Sequence, residues 1–214
     1  ADLELAVTLA AEGSYRNSGQ RCTAVKRILV QESIAEAFTR ALVEKTREYV
    51  CGDPSNEATK VGTVIDEASA RSLEAVVQEA VAAGARVLIG GERRGALLQP
   101  TVIDRVPRDC RMVVCESFGP LAPIVTVSDL DDALAVANAT AYGLSSGVVT
   151  NNMAHALKAI RTLRCGTVNI NEVPGFRVES SPFGGIKDSG LGIKEGVIEA
   201  IKGYSYVKTF SLPW

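Results

Sequence analysis

One histidine, His155, stands in the whole 214-residue chain. That scarcity removes two kinds of chemistry. A cysteine hydrolase needs an imidazole set against its thiol, and His155 lies far from Cys22 in the chain, in a helical stretch. A zinc site would have to be completed by carboxylates, because no Cys-x-x-Cys pair is present. An excess of one charge is also missing: 23 Lys and Arg face 25 Asp and Glu, giving a net charge of -2, and the basic residues are scattered. No electrostatic footprint for nucleic acid results. No run of 18 apolar residues exists, so no membrane span is expected. The opening "ADLELAV" begins with acids rather than the basic stretch of a signal peptide, and without Met, in the middle of an amphipathic pattern. It reads as a piece of something longer. The five cysteines are odd in number and widely spaced, unlike a disulfide framework, so free thiols in a reducing cytosol are expected.

What is there is ordinary for a globular chain: 46% hydrophobic, 22% charged, with 19 glycines. The length suits one domain, or one domain with an arm. Strand and helix signals alternate. Helices are expected over 3–12, over 33–50 (Ser33 as N-cap with Glu36 completing a capping box), over 66–84 (stopped by Gly84), and in "DLDDALAVANAT", "NMAHALKAIRTLR" and "GVIEAI". Strands are expected in "KRILVQ", "ARVLIGG" (short and buried), "LLQPTVID", "PIVTVSD", "LSSGVVT", "GTVNIN" and the closing "YSYVKTF". Such alternation predicts an α/β fold: an open, mostly parallel twisted sheet with helices on both faces, plus a C-terminal strand placed to pair with a neighbouring subunit. Ligands of such sheets bind beyond the carboxyl ends of the strands, so the loops after strands matter most.

Cys22, in "SYRNSGQRCTA", admits two readings. It is a buried structural thiol, as free cysteines commonly are, or it is a nucleophile. Arg21 favours thiolate, and Gly19 permits a backbone that aims N–H groups at an oxyanion. Glu116 and Phe118, in "CESFGPLAP", belong to a plain loop or hold a flat, hydroxyl-bearing ligand. Gly190, Gly192 and Gly196 lack the preceding strand and the spacing of a dinucleotide fingerprint, so they read as a loop folded closely over other backbone. Arg177, in the long loop after "GTVNIN", faces solvent or a ligand. His155 reads as a partly buried helix residue without a catalytic role.

Five stretches in order, "NSGQRCTA", "ESFGP", "AYGLSSGVVT", "GTVNIN" and "PFGGIKDSGLG", resemble the aldehyde dehydrogenase superfamily, and the resemblance runs from residue 1 to 214. It implies oxidation of an aldehyde through a thiohemiacetal and a thioester on Cys22, with hydride passing to NAD or NADP. Glu116 takes the place of the glutamate on the nicotinamide-side ribose, and Phe118 that of the aromatic beside it. It further implies that the base glutamate, the dinucleotide-binding domain and an oxyanion-hole asparagine belong to a segment upstream of Ala1. Residues 1–196 would then be the catalytic domain and 197–214 an oligomerisation arm of a cytoplasmic homo-oligomer, a dimer or tetramer. Cys115 stands where the family commonly has a second acid. Within the superfamily the chain looks most like the phosphonoacetaldehyde dehydrogenase branch. Arg21 and Arg177 would grip a phosphonate dianion through their forked donors. Phosphonoformaldehyde, succinate semialdehyde and lactaldehyde are the alternative substrates. The reading of a different class is an inactive fragment that acts as an interaction module through its sheet edge.

Overall fold

The computed structural model describes residues 1–213, and its elements follow the expected alternation. In chain order they are α1 (Leu3–Tyr15), a 3-10 turn (Arg16–Gly19), β1 (Ile28–Gln31), α2 (Glu32–Thr46), α3 (Glu67–Ala82), β2 (Arg86–Ile89), β3 (Arg93–Arg94), β4 (Leu97–Leu98), β5 (Thr101–Asp104), α4 (Arg111–Val114), β6 (Leu121–Val127), α5 (Leu130–Asn138), β7 (Tyr142–Gly143), β8 (Ser145–Val148), α6 (Met153–Thr162), β9 (Thr167–Ile170), β10 (Ile186–Lys187) and α7 (Val197–Gly203).

Four strands form the main sheet in the order β1-β6-β5-β2. β6 pairs in parallel with β1 and with β5, while β2 pairs antiparallel with β5. The sheet's two faces sort by the two-residue period of a strand. Leu121 and Val125 of β6 and Ile103 of β5 pack with Leu73, Val76 and Val77 of α3 and Met112 of α4. Ala122 and Ile124 of β6 and Val102 of β5 pack with Val7, Ala11 and Tyr15 of α1 and Phe38 and Leu42 of α2. Helices thus cover both faces. β6, buried almost throughout, is the near-continuous apolar run that a doubly covered strand requires. Each large side chain taken out of water there contributes about 1.5–3 kcal/mol.

Three expectations are corrected. Ser33 is not an N-cap: α2 starts at Glu32 directly from β1, its cap position is Gln31, and no side chain caps it. With no loop residue between strand and helix, Ser33 falls inside the first turn. β2 is not buried, because it is the antiparallel edge of the sheet and is partly exposed. The closing strand is not formed: residues 205–213 have no strand structure, since among the described residues no sheet edge pairs with them and a lone extended segment gains no ladder. Trp214, the last residue of that expected strand segment, lies outside the described residues.

β8 and β9 form a separate parallel pair, with Ser145 opposite Thr167 and Val148 opposite Ile170. Between this pair and β1 runs a cleft of about 1300 Å³. Cys22, Lys26 and Glu116 line it together with residues of β1 and β8. The loops at the strand ends along this cleft carry the candidate site.

Candidate active site

The chain reaches Cys22 through a strained turn. The end of α1 is anchored first. Tyr15 is fully buried, its hydroxyl sits 3.0 Å from Thr46 Oγ1, and its ring meets Tyr49 edge-on at 5.0 Å. Asn17, Ser18 and Gly19 then follow in the left-handed region, with φ of 55°, 54° and 70°. Side chains hold this turn in place. Ser18 Oγ donates to the Gly62 carbonyl at 3.0 Å, and Gln20 Oε1 accepts from the Ile65 N–H at 2.8 Å. The polar residues before the cysteine therefore pin its loop to residues 62–65.

Cys22 itself is exposed, which removes the buried-thiol reading. Among the described residues its backbone N–H meets no acceptor, so it is available to an oxygen developing on a carbon bound to the sulfur. The half-buried cysteines contrast with it. Cys51 points its thiol at the Leu98 carbonyl, and burial pushes that thiol's pKa up, while Cys165 faces the Thr167 carbonyl at 3.2 Å. Cys115 is exposed and lines the same cleft as Cys22.

The second motif loop touches the first backbone to backbone. A Cβ on Gly19 would stand 2.0 Å from the Gly119 carbonyl oxygen, so only glycine allows this approach. Phe118, with φ of 58°, turns its ring outward and is 43% exposed. Lys26 joins the two loops. Its ammonium donates to the Arg21 carbonyl at 2.7 Å and to the Gly19 carbonyl at 3.4 Å, lies 3.5 Å from Glu116, and sits 4.3 Å from the centre of the Phe118 ring. Burial lowers the Lys26 pKa, and the Glu116 carboxylate opposes that shift. Sequence reasoning missed Lys26. Its only signal was a cation four residues after Cys22, ahead of a strand.

The loop after β9 forms the third wall. Asn169 Nδ2 donates to the carbonyls of Val173, Pro174 and Phe176 and so shapes it. Gly175 packs against Arg21 and Thr23, where a Cβ would come within 2.7 Å of Arg21 Nη2. Arg21 is partly buried and, among the described residues, makes no ion pair. Arg177 is engaged: it pairs with Glu195 at 2.5 Å and stacks on Phe183 at 4.5 Å. The structure thus brings Cys22, Arg21, Glu116 and Phe118 to neighbouring loops. Arg177 reaches the same loop but spends its fork on a carboxylate of the chain. His155 sits in the first turn of α6 and is exposed rather than partly buried. The glycine loop behaves as expected, since a Cβ on Gly184 would lie 2.1 Å from the Gly192 carbonyl oxygen.

A profile of the Aldehyde dehydrogenase family matches residues 1–210, and the chain belongs to that family. It is 39% identical over 208 residues to a sulfoacetaldehyde dehydrogenase of Neptuniibacter caesariensis, a match covering 97% of this chain and 45% of that protein. It is 38% identical to a lactaldehyde dehydrogenase of Methanococcus maripaludis, covering 97% and 44%. Among solved structures it superposes on glyceraldehyde-3-phosphate dehydrogenase GapN of Methanocaldococcus jannaschii, complexed with NADP, with a TM-score of 0.90 and 40% identity, covering 94% of this chain and 44% of that one. The chain therefore spans under half the length of these relatives.

Proposed function

We propose that this chain is the nucleophile-bearing part of an NAD- or NADP-dependent aldehyde dehydrogenase that oxidises a small anionic aldehyde to its carboxylic acid. The observation that carries the reading is Cys22: an exposed thiol with an unengaged N–H, on a left-handed turn locked against the loop of Glu116 and Phe118. A thiol that loses its proton attacks the aldehyde carbon, forming a C–S bond, and the carbonyl oxygen takes the electron pair beside the Cys22 N–H. Hydride leaves that carbon with its bonding pair, and a thioester on Cys22 remains. Water then adds to the thioester carbon, the C–S bond breaks, and the acid and the free thiolate are released.

Glu116 and Phe118 fit the nicotinamide half of a dinucleotide. An exposed carboxylate accepts from ribose hydroxyls, and Glu116 lines the cleft with the exposed Phe118 ring two residues further along the same loop. When bound, the nicotinamide supplies the hydride acceptor. No residue of this chain is assigned as the base for water.

The finer substrate reading is a phosphonate-bearing aldehyde, phosphonoacetaldehyde or phosphonoformaldehyde, with Arg21 as the first cation and Arg177 as the second. Arg21 has the stronger support, because it lies beside the nucleophile without a carboxylate partner, whereas an anion must displace Glu195 to use Arg177. A sulfonate is the second reading, and the relative named sulfoacetaldehyde dehydrogenase favours it. Both groups are tetrahedral anions suited to the same donors. The free thiols accord with a cytoplasmic setting. The exposed Ile198, Ile201, Tyr206 and Phe210 are assigned, with residues 197–214 as a whole, to contact with a second copy.

The test uses the full-length enzyme with phosphonate, sulfonate, carboxylate and neutral aldehydes and each cofactor. Cys22→Ser is expected to abolish oxidation with the fold intact, while Cys51, Cys110 and Cys165 are replaceable by Ala. Near-wild-type activity in Cys22→Ser would overturn the assignment and leave the interaction-module reading.

A further inference from the structure

Lys26 has no part in the chemistry set out above, yet it touches both motif loops. An ammonium has three donors. The Arg21 carbonyl at 2.7 Å, the Gly19 carbonyl at 3.4 Å and the Glu116 carboxylate at 3.5 Å match that number, and the Phe118 ring closes the remaining side at 4.3 Å. Two of these groups lead the chain into Cys22, and two belong to the loop that receives the cofactor. The Lys26 side chain is only 18% exposed, so water offers few replacement partners. Cys22 and Lys26 line the same cleft.

We infer that Lys26 is a positioning residue that ties the nucleophile's loop to the cofactor-gripping carboxylate, holding thiol and hydride acceptor at a fixed separation. The inference rests on Cys22 and Glu116 having the roles proposed above. Position 26 also suits lysine over its usual substitutes. Methionine fills a similar volume and donates nothing. Arginine keeps the charge, but its planar fork does not converge on three acceptors.

The experiment uses the full-length enzyme carrying Lys26→Met, Glu116→Gln, both together, and Lys26→Arg. Lys26→Met is expected to lower kcat/KM about ten- to hundredfold, as the loss of hydrogen bonds to a charged group would. If the two residues act as one connection, the double variant falls no further than the worse single variant, within about twofold, rather than by the product of both losses. A second readout needs no cofactor: iodoacetamide labelling of Cys22, followed by peptide mass. Lys26 holds the Gly19 and Arg21 carbonyls that lead into Cys22, so Lys26→Met loosens the presentation of the thiol and is expected to change the labelling rate about three- to tenfold. Lys26→Arg should recover part of both effects. Should Lys26→Met fail to fold, Lys26→Gln serves in its place. Losses that multiply, or a wild-type labelling rate, would overturn the inference. If Cys22→Ser retains activity, the nucleophile assignment fails instead, so the two failures are distinguishable.

Discussion

Replacing Gly19 by alanine is expected to disable the site while leaving the protein folded. Two costs add at this position. The residue sits at φ of 70°, a conformation that costs an L-residue about 1–2 kcal/mol. The new Cβ would also stand 2.0 Å from the Gly119 oxygen and 2.4 Å from the Gly119 carbonyl carbon, both backbone atoms with no rotamer to turn aside. Restoring an ordinary contact of about 3.4 Å requires the two motif loops to separate by roughly 1.4 Å. Overpacking of this kind costs about 1–3 kcal/mol. The total, about 2–5 kcal/mol, is within what a domain of this size tolerates.

The catalytic consequence is larger in relative terms, because Cys22 and Glu116 ride on the two loops that must part. A misplacement near 1 Å costs about a hundredfold in rate. In the full-length enzyme kcat/KM should therefore fall about a hundredfold or more, while urea unfolding remains a single cooperative transition at a lower midpoint. Gly84→Ala is the control. Its φ is 104° and no atom lies within 4 Å of a new Cβ, so it pays conformational strain alone. It should lower stability by about 1–2 kcal/mol and leave kcat/KM unchanged. A Gly19→Ala enzyme within about threefold of wild-type kcat/KM would refute the claim that backbone contact between these loops sets the geometry of the site.

Arg177→Ala should reduce kcat/KM for a phosphonate or sulfonate aldehyde about ten- to hundredfold and spare propanal. Equal losses on both substrates in steady-state assays would make the arginine a structural partner of Glu195 and Phe183 only. The isolated 214 residues should show no NAD or NADP binding by calorimetry below about millimolar concentration, since Glu116 and Phe118 alone supply too few contacts. Burial pushes the Tyr15 phenol well above its ordinary pKa of 10.0. The unfolded chain therefore loses this proton first, and the contribution of Tyr15 is intact below about pH 10 and declines above it by up to ~1.4 kcal/mol per pH unit. Urea midpoints on either side of that pH should diverge less in Tyr15→Phe than in the parent chain.

The elements legible in the sequence are those decided by neighbours in the chain. α3 shows both of its ends: Asp66 caps it by accepting from the Ser69 N–H, and Gly84 follows it with positive φ. β6 is legible as a strand in "PIVTVSD", and the structure adds that it is buried almost throughout. The failures fall where the deciding partner is remote. "YSYVKTF" alternates like a strand, but pairing needs an edge, and sequence pattern does not supply one. Arg177 looked free because its acceptor, Glu195, lies across a glycine loop. Lys26 looked like the flank of a strand because Glu116 and Phe118 approach it only in three dimensions.

The motif loops show why the site was nameable while its geometry was hidden. Asn17, Ser18 and Phe118 all carry positive φ without being glycine. Each such residue stores roughly 1–3 kcal/mol and persists only where surrounding contacts over-determine it. Here those contacts are identifiable: Ser18 to the Gly62 carbonyl, Gln20 to the Ile65 N–H, Gly19 against Gly119, and Lys26 across both loops. Apart from the reach of Lys26 to the Gly19 and Arg21 carbonyls, none is local in sequence. A cysteine behind Asn-Ser-Gly-Gln-Arg announces that a strained turn is wanted, and residues forty to a hundred positions away make that turn affordable. Substitutions at Ser18, Gln20 or Lys26 should therefore act on Cys22 chemistry before they act on stability, the reverse of the order expected for core positions such as Leu42 or Ile103.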